Sequence, residues 1–439
     1  MKSDFRPIHY LGSKLRLLNF IKETIDEIDS ANNVVCDLFS GSGVVPKHLS
    51  LTRPVISNDI QEYSRIISSA LLIPFKKFDL KNLQIYKSKI YKELFYIFER
   101  MISYEKYSLN ELEKGNMEYI SEIMDYGSFI NYNNRNNINV SPDFKNALDE
   151  TNKRLKQFNL LNSKKTMVTR YYGGVYFSFL QSVIIDALLG TLDSVDNDSK
   201  LIFHAAILSS ASDIVNTIGK QFAQPLTPKD NKGNQKLNLA NKILKDRNLD
   251  VWVIFKKWIG SYNNQQLPKF NNEVTKLNYE DVLTKKSNIK VVYADPPYTR
   301  YHYSRYYHVL ETISLRDNPK ITNLKKNGNN VISKGVYRED RHQSPFGLRN
   351  ESDDSFNTLF RKTAEINASL VLSYSPYNEK SNATPRIQTI ENLLNTAKKH
   401  FKQVKVISFG QFSHSKLNKV DLHIDASDTA EMLIVCKNN

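Results

Sequence analysis

Short apolar runs, each ending in a glycine or polar turn, recur along the chain with helical patterns between them. The runs begin near residues 34, 55, 274, 290, 369, 404 and 432, and their length and apolar character are typical of buried strands. Apolar residues spaced by three and four between the runs indicate amphipathic helices, as at Leu15, Leu18, Ile21, Ile25 and Ile28. This alternation predicts an α/β protein with a doubly wound sheet of seven strands, the last two forming an antiparallel edge hairpin.

The alternation stops between residues 74 and 270, where helical patterns are joined by polar connections rich in Asn and Tyr. We interpret 74–270 as a largely helical insertion in a catalytic domain made of residues 1–73 and 271–439. Within it, residues 126–142 are expected to be the least ordered, a break is predicted at 225–233, and the runs 171–177 and 209–224 are compatible with helices. A second excursion, 299–365, is predicted to cross the carboxyl edge of the sheet as a long loop with little regular structure.

Residues 291–298 combine a strand with a rigid turn. The apolar run stops at Pro296 and Pro297, which donate no ladder hydrogen bonds and have a fixed φ, so Asp295 and Tyr298 are held in a defined geometry. Ligands of α/β sheets bind at this end of the strands. An ordinary strand-ending turn is the alternative interpretation.

A glycine turn follows the first strand. Gly41 and Gly43 allow a ligand to approach the backbone, but the third glycine of the dinucleotide fingerprint is missing, which disfavours a dinucleotide and not a mononucleoside. The second strand ends at Asp59, whose carboxylate could accept both hydroxyls of a ribose or could cap the next helix. Gly12, Ser13 and Lys14 begin a helix and could bind an anionic group, or serve as a polar cap.

Composition favours a polyanionic partner. The chain has 61 Lys and Arg against 46 Asp and Glu, giving a net charge of +15, which suits nucleic acid first, although a membrane surface or an acidic protein would also fit. Basic residues at 229, 232, 236, 242, 245 and 247, with Trp252, could follow a phosphate backbone or form a solvated face.

The chain carries few of the residues that metal sites and secreted proteins use. Its two cysteines, Cys36 and Cys436, lie in apolar runs and indicate a reducing compartment without disulfides. The amino terminus lacks the apolar segment of a signal sequence, and the apolar stretch 175–189 is interrupted by polar residues, so a soluble cytoplasmic protein without membrane contact is predicted. His308 and Glu311 have helical spacing, but no further His or Cys cluster accompanies them, and no metal is predicted.

Four motifs in order resemble those of the DNA adenine-N6 methyltransferases of the alpha subgroup: residues 10–14, 37–43, 58–59 and 295–298. Segments 209–225, 301–311 and 334–346 also look like one branch of these enzymes, and the resemblance leaves out about 75–170. It implies a Rossmann-like fold that methylates N6 of a flipped-out adenine in a specific sequence of double-stranded DNA. It further implies S-adenosylmethionine as cofactor and a place in a restriction-modification system, where a companion restriction endonuclease would be a partner.

The resemblance also implies residue roles. Asp295 and a main-chain carbonyl of the Pro296-Pro297 turn would accept the two N6 hydrogens, and Tyr298 would stack on the base. Asp59 would bind the cofactor ribose and Asp281 would lie near its adenine. The full set expected at the cofactor is Tyr10, Gly12, Ser13, Lys14, Asp37, Phe39, Gly41, Gly43, Asp59 and Asp281. DNA contacts are expected from the insertion and from Tyr301, Tyr303, Arg305, Arg338 and Arg341.

Two alternatives remain at this point. The same fold could act on cytosine N4 or on RNA, although Asp in front of Pro-Pro and the motif order favour adenine in DNA. A catalytically silent DNA-binding regulator could use the same scaffold, but the intact Gly41, Gly43, Asp59, Asp295 and Tyr298 argue against that function.

Overall fold

A seven-stranded sheet organises the protein. The computed structural model describes residues 5–81, 83–130, 140–298, 303–326, 329–375, 387–408 and 432–438. Its strands are β1 Val35–Asp37, β2 Val55–Asn58, β3 Glu273–Thr275, β4 Val291–Ala294, β5 Asn323–Lys326, β6 Asn329–Ile332, β7 Ser369–Tyr374, β8 Gln403–Ser408 and β9 Met432–Lys437. The sheet has the order β3-β2-β1-β4-β7-β9-β8, and β5 and β6 form a separate hairpin.

The strand order brings three acidic residues to one edge. All neighbours are parallel except β9, which runs antiparallel to both β7 and β8. Asp37 at the end of β1 is in register with Ser57 of β2 and Tyr293 of β4, so Asp37, Asp59 and Asp295 leave adjacent strands at the same edge. The seven predicted strands and the antiparallel last pair are confirmed.

Helices cover both faces of the sheet and fill the insertion. Those before the insertion are α1 Leu18–Ile28, α2 Val44–Leu49 and α3 Glu62–Leu72. Those of the insertion are α4 Lys89–Glu113, α5 Glu118–Tyr126, α6 Pro142–Gln157, α7 Met167–Tyr172, α8 Phe179–Leu192, α9 Asn197–Ile214, α10 Ala240–Arg247 and α11 Val251–Asn263. The rest are α12 Tyr279–Lys285, α13 Tyr303–Leu315, α14 Ser352–Glu365 and α15 Ile390–Ala397.

The insertion shares its hydrophobic core with one face of the sheet. Val291 of β4 and Ile67 of α3 belong to the same continuous core as Phe203 and Phe255 of the insertion helices. The opposite face is covered by α12, α14 and α15. Because both faces are buried, the strands have the continuous apolar runs seen in the sequence.

The amino-terminal segment packs against the insertion before the chain enters the sheet. The Phe5 ring meets Trp258 of α11 edge-on, with centroids 5.8 Å apart. The His9 Nε2 lies 3.2 Å from a carboxylate oxygen of Asp213, and the His9 backbone N–H donates to the Ser212 hydroxyl. These contacts place the following residues, 10–14, between the insertion and the strand ends.

Several element predictions need correction. Residues 299–365 are not a loop with little structure, because they contain α13, the β5–β6 hairpin and α14. The run 171–177 leaves the helix after Tyr172, and 209–224 leaves it after Ile214. Of the segment 126–142, residues 131–139 lie outside the described part of the chain. Among the described helices, none is long and apolar enough to cross a membrane.

Some side chains of the basic run between residues 229 and 252 are buried or paired. Arg247 is buried against Glu105, and Trp252 is buried as well, so neither can follow a phosphate backbone. The Lys242 ammonium pairs with Asp246 at 3.0 Å. The burial of Arg247 depends on Glu105 of the distant helix α4, which the local charge pattern does not report.

Candidate active site

A cleft lies at the carboxyl edge of the sheet. Residues that follow β1, β2, β3 and β4 form its floor, the amino-terminal segment and the start of α13 form one wall, and residues 342–347 form another. The predicted site residues that line it are Tyr10, Gly12, Lys14, Phe39, Asp59, Asp295, Pro296, Pro297, Tyr298 and Tyr303. One cleft therefore collects residues from all four sequence motifs.

A buried ion pair crosses this cleft. The Lys14 ammonium lies 3.0 Å from Oδ2 of Asp295, and Lys14 is only 5% exposed. Lys14 immediately precedes the helical turn Leu15–Leu17 that leads into α1, and Asp295 follows β4 directly. The pair fixes the direction of the Asp295 carboxylate and offsets its charge.

Asp59 is held by backbone donors on both oxygens. The Gly41 N–H donates to Oδ2 and the Gln61 N–H to Oδ1, each at 2.9 Å. Burial raises the pKa of Asp59 above its usual range, against the lowering effect of these donors. These backbone donors orient the Asp59 carboxylate where it lines the cleft.

Asp37 lies behind the cleft and not in its lining. Its carboxylate accepts the Phe39 N–H at 3.1 Å. Burial raises the pKa of Asp37 well above its usual range, and the nearby charges of Asp295 and Asp59 raise it further. The three carboxylates are thus close enough to interact, and burial together with this repulsion favours the protonated form of Asp37.

The glycine turn supports the cleft from below. Gly41 has a φ of +52°, and a Cβ at this position would lie 2.6 Å from the Tyr10 ring. That ring is stacked on Tyr307 with centroids 4.9 Å apart, so it has little room to move. Gly43 has a φ of +73° and faces Ser68 of α3. Both glycines, like Ser13, shape the walls without lining the cleft themselves.

Two aromatic groups stand at different parts of the lining. Phe346 packs against Phe39 and Tyr279 with ring centroids 5.4 Å and 5.1 Å away. Tyr298 packs on the buried Tyr374, with centroids 4.5 Å apart. Both groups offer ring surfaces on which a planar ligand could stack.

Glu311 links the two sides of the site from beneath. Its carboxylate accepts the backbone N–H groups of Glu62 at 3.0 Å and Tyr63 at 3.1 Å, and so caps the start of α3 from α13. Burial raises the pKa of Glu311 to about 7. The other member of the pair considered for a metal, His308, is buried with its Nε2 3.3 Å from the Tyr176 hydroxyl. In the described residues, no group of three or more His, Cys, Asp and Glu could hold a metal.

Asp281 does not reach the cleft. It is exposed on the first turn of α12 and lies 3.9 Å from Lys285. The Asn278 side chain caps this helix, so the chain turns outward there, and residues 277–279 line the cleft in place of Asp281. The prediction for Asp281 assumed that the acidic pair ended a strand, whereas β3 already ends at Thr275.

The residues expected to contact DNA differ in burial and in their contacts. Arg338 is 2% exposed and its guanidinium is paired with Asp317 at 2.8 Å and Asp340 at 2.9 Å, so it stabilises the fold and is not accessible to DNA. Arg305 and Arg341 both lie over the Tyr337 ring, 4.6 Å and 5.3 Å from its centroid. Tyr303 lines the cleft, and Tyr301 lies outside the described residues.

The sequence interpretation missed part of the lining. Residues 342–347 contribute a wall with a short helical turn at Pro345–Gly347, and Asn58, Gln61 and Tyr63 contribute beside Asp59. The Asn58 amide donates to the main-chain oxygens of Leu38 and Leu277, tying three strand ends together. A polar Asn at the end of a buried strand was the available signal for Asn58, and the resemblance of 334–346 to the family was the available signal for the wall at 342–347.

Comparison with known families identifies the family of the chain. The model of the D12 class N6 adenine-specific DNA methyltransferases matches residues 10–172 and 246–374. The chain belongs to this family. The matched segments contain the motifs at 10–14, 37–43, 58–59 and 295–298, so the family that the sequence motifs resemble is confirmed, as is the Rossmann-like fold class.

The curated relatives that the chain matches are a modification methylase and two type II methyltransferases. The chain is 25% identical over 369 residues to "Modification methylase LlaI" of Lactococcus lactis subsp. lactis, covering 84% of this chain and 46% of the relative. It is 25% identical over 363 residues to "Type II methyltransferase M.FokI" of Planomicrobium okeanokoites, covering 81% and 43%. A shorter match, 34% over 65 residues, is to "Type II methyltransferase M.NlaIII" of Neisseria lactamica. The chain spans less than half the length of the first two relatives.

Proposed function

We propose that this D12-family chain transfers a methyl group from S-adenosylmethionine to N6 of an adenine flipped out of double-stranded DNA. The observation that carries the proposal is the position of Asp295, at the end of β4, in one cleft with Asp59 and two aromatic groups. The family match supports a methyl transfer to adenine. The residues that line the cleft support S-adenosylmethionine and adenine as its two ligands.

The chemistry of the cleft fits S-adenosylmethionine. Two carboxylates of the cleft, Asp59 and Asp295, face one ammonium, Lys14, which suits a ligand carrying a sulfonium and an ammonium group. Asp59 is oriented by Gly41 and Gln61 to accept ribose hydroxyls. The cofactor supplies an electrophilic methyl group when bound. We assign Tyr10, Gly12 and Lys14 to its methionyl side, and Phe39 with Tyr279 and Phe346 to its adenine side.

Asp295 and its turn would make the adenine amine reactive. The N6 lone pair of adenine is delocalised into the ring, so the amine is a poor nucleophile. With one N6 hydrogen donated to Asp295 and the other to a carbonyl of the Pro296-Pro297 turn, the lone pair points at the incoming methyl. The carboxylate stabilises the positive charge that develops on N6 and is placed to accept the proton that N6 then loses. Lys14 keeps the carboxylate in this direction.

Tyr298 would hold the flipped base. Its ring is supported from behind by the buried Tyr374, so it forms a fixed platform at the side of Asp295. An adenine inside the duplex cannot present its amine to Asp295, and stacking on such a platform offsets part of the cost of leaving the helix. This arrangement gives Tyr298 a role in binding the base in the geometry of transfer.

Recognition of the surrounding sequence is assigned to the insertion, 74–270, and to the residues after Tyr298. Tyr303, Arg305 and Arg341 stand beside the cleft, and Tyr301 belongs to the same stretch of sequence. By likeness to the modification methylase LlaI, we infer that the chain protects DNA in a restriction-modification system and acts beside a companion restriction endonuclease.

A methylation assay tests the proposal. The purified chain is incubated with methyl-labelled S-adenosylmethionine and duplex DNA, the product is digested to nucleosides, and the label is expected in N6-methyladenine. Label in N4-methylcytosine, or in RNA offered in place of DNA, would contradict the proposed target. DNA from cells that express the chain, sequenced for modified bases, identifies the recognition sequence, and cells expressing the Asp295→Ala variant provide the matched control.

A further inference from the structure

Ile218 is an apolar side chain that the fold exposes to solvent. It is 74% exposed, more than any other large hydrophobic residue among the described residues. Its neighbours Asn216 and Thr217 are completely buried, so the chain presents this one side chain outward from an otherwise inward-facing segment. The segment 209–225, which contains it, has no role in the proposed chemistry.

The loop that carries Ile218 is held rigidly on both sides. The Asn216 amide donates to Oδ2 of Asp246 at 3.2 Å, and the Lys220 ammonium donates to Oδ1 at 2.8 Å. Lys220 also donates to the main-chain oxygens of Asp213 and Val215. Gly219 and Lys220 both have a positive φ, of 78° and 61°, which turns the chain sharply after Ile218. One buried carboxylate therefore fixes both ends of the turn at whose tip Ile218 stands.

The two ends of this loop contact residues close in sequence to ones that line the cleft. At its start, Asp213 contacts His9, the residue before Tyr10. At its end, the Phe222 N–H donates to the main-chain oxygen of Tyr306 at 2.9 Å, one helical turn after Tyr303. Tyr10 and Tyr303 both line the cleft, with ring centroids 6.4 Å apart. The two ends of the loop are thus attached directly behind the rim residues.

Two guanidinium groups are connected to the far end of the same loop through Tyr337. Tyr337 donates its hydroxyl to the main-chain oxygen of Ala223 and carries Arg305 and Arg341 against its ring. Burial, followed by the nearby charge of Arg305, lowers the pKa of Arg341, as two neighbouring like charges require. An exposed apolar side chain on a loop whose far end is bonded to residues carrying guanidinium groups is a combination found in proteins that bind the DNA backbone and insert a side chain between bases.

We propose that Ile218 is a wedge that enters the duplex where the target adenine leaves the stack and holds the gap open while the base occupies the cleft. The inference rests on the proposed adenine methylation of DNA. An aliphatic side chain suits the space between stacked bases because it replaces their apolar contacts without a hydrogen-bonding requirement. The hydrogen bonds to Asp246 fix the backbone of the turn, so the loop loses little conformational entropy when DNA binds around Ile218.

The test separates base opening from all other steps. Single-turnover methylation is measured on two duplexes with the recognition sequence, one with the target adenine paired to thymine and one with an abasic site opposite it. We expect Ile218→Ala to slow methylation of the paired duplex about tenfold or more, since opening the base pair costs a few kcal/mol. The rate on the abasic duplex should change by less than about twofold, because the target adenine has no paired base there. Ile218→Leu should keep the wild-type rate on the paired duplex, and Leu51→Ala, which truncates a residue 41% exposed between α2 and β2, should leave that rate unchanged.

A second readout follows the base itself. With 2-aminopurine at the target position, the wild-type chain should raise the fluorescence on binding, and Ile218→Ala should bind with a smaller rise. Equal losses on both duplexes, or no loss on either, would overturn the wedge while leaving the methylation intact. A wild-type chain that methylates neither duplex would overturn the proposed function and the wedge with it.

Discussion

The Lys14 ammonium lies 3.0 Å from Oδ2 of Asp295, and this contact joins the first motif of the chain to the last. The two residues are far apart in sequence and meet because the amino-terminal segment lies across the carboxyl edge of the sheet. In the proposed mechanism Asp295 must present an oxygen to the N6 amine in one direction. Lys14 contributes to this direction through its ion pair with Asp295.

Replacing Asp295 by Asn should remove catalysis and spare the cofactor. An amide cannot stabilise positive charge on N6 as a carboxylate does, so we expect the methylation rate to fall by roughly 100-fold or more. The affinity for S-adenosylmethionine, measured by calorimetry, should change by less than about threefold because other residues hold it. An Asp295→Asn variant with wild-type turnover would falsify the assigned mechanism.

Replacing Lys14 by Met should lower turnover without removing the carboxylate. Loss of a charge-assisted hydrogen bond worth about 1.5–3 kcal/mol corresponds to about a 10- to 100-fold slower transfer. Lys14→Arg restores a cation and should recover part of the rate. If the two residues act as a pair, adding Lys14→Met to Asp295→Asn should cost little more, and fully additive losses in this double-mutant cycle would show independent roles.

Replacing Gly41 by Ala should weaken cofactor binding through Tyr10. The new Cβ would lie 2.6 Å from the Tyr10 ring, which its stack on Tyr307 holds in place. Gly115→Ala is the matched control, since Gly115 also has a positive φ but its Cβ would meet nothing within 4 Å. Both variants should lose about 1–2 kcal/mol of stability from backbone strain. Only Gly41→Ala should also bind S-adenosylmethionine about tenfold or more weakly. Equal affinities would contradict the role of this contact.

Glu311 should make the stability of the protein depend on pH in a definite direction. Burial raises its pKa from 4.5 to about 7, so the folded protein holds this proton more tightly than the unfolded chain does. Stability from this group is therefore present below about pH 4.5 and is lost as the pH rises to about 7, by no more than about 3 kcal/mol. The free energy of unfolding of the wild type minus that of Glu311→Gln should fall over this window. A difference that is flat or rises with pH would contradict the assignment.

The sequence predicted what local patterns and sheet geometry determine. Seven apolar runs became the seven strands of the sheet, and the parallel order of β2, β1 and β4 was sufficient to bring Asp59, Asp37 and Asp295 to one edge. Motif residues near these strand ends, such as Phe39 and Tyr298, consequently line one cleft. Their chemical roles stay proposals until the variants are measured.

What escaped prediction depends on tertiary contacts. Arg338 was predicted to contact DNA because the sequence does not show that its guanidinium pairs with Asp317 and Asp340. Asp281 points outward because Asn278 begins a helix there. The wall at 342–347 reaches the cleft only after α13 and the β5–β6 hairpin have returned the chain to the sheet, and no periodicity in the sequence encodes that return.

The attachment of the amino-terminal segment to the insertion constrains how such an enzyme can change its specificity. Phe5 and His9 bind helices of the insertion, and Lys14, a few residues later, binds Asp295. A graft of residues 74–270 from a relative would therefore separate a recognition surface from the peptide that adjusts the reacting carboxylate. Under the proposal that residues 74–270 recognise the DNA sequence, chimeras with exchanged specificity should need residues 5–14 from the same donor, so the coding segments that have to be exchanged together are separated in the gene.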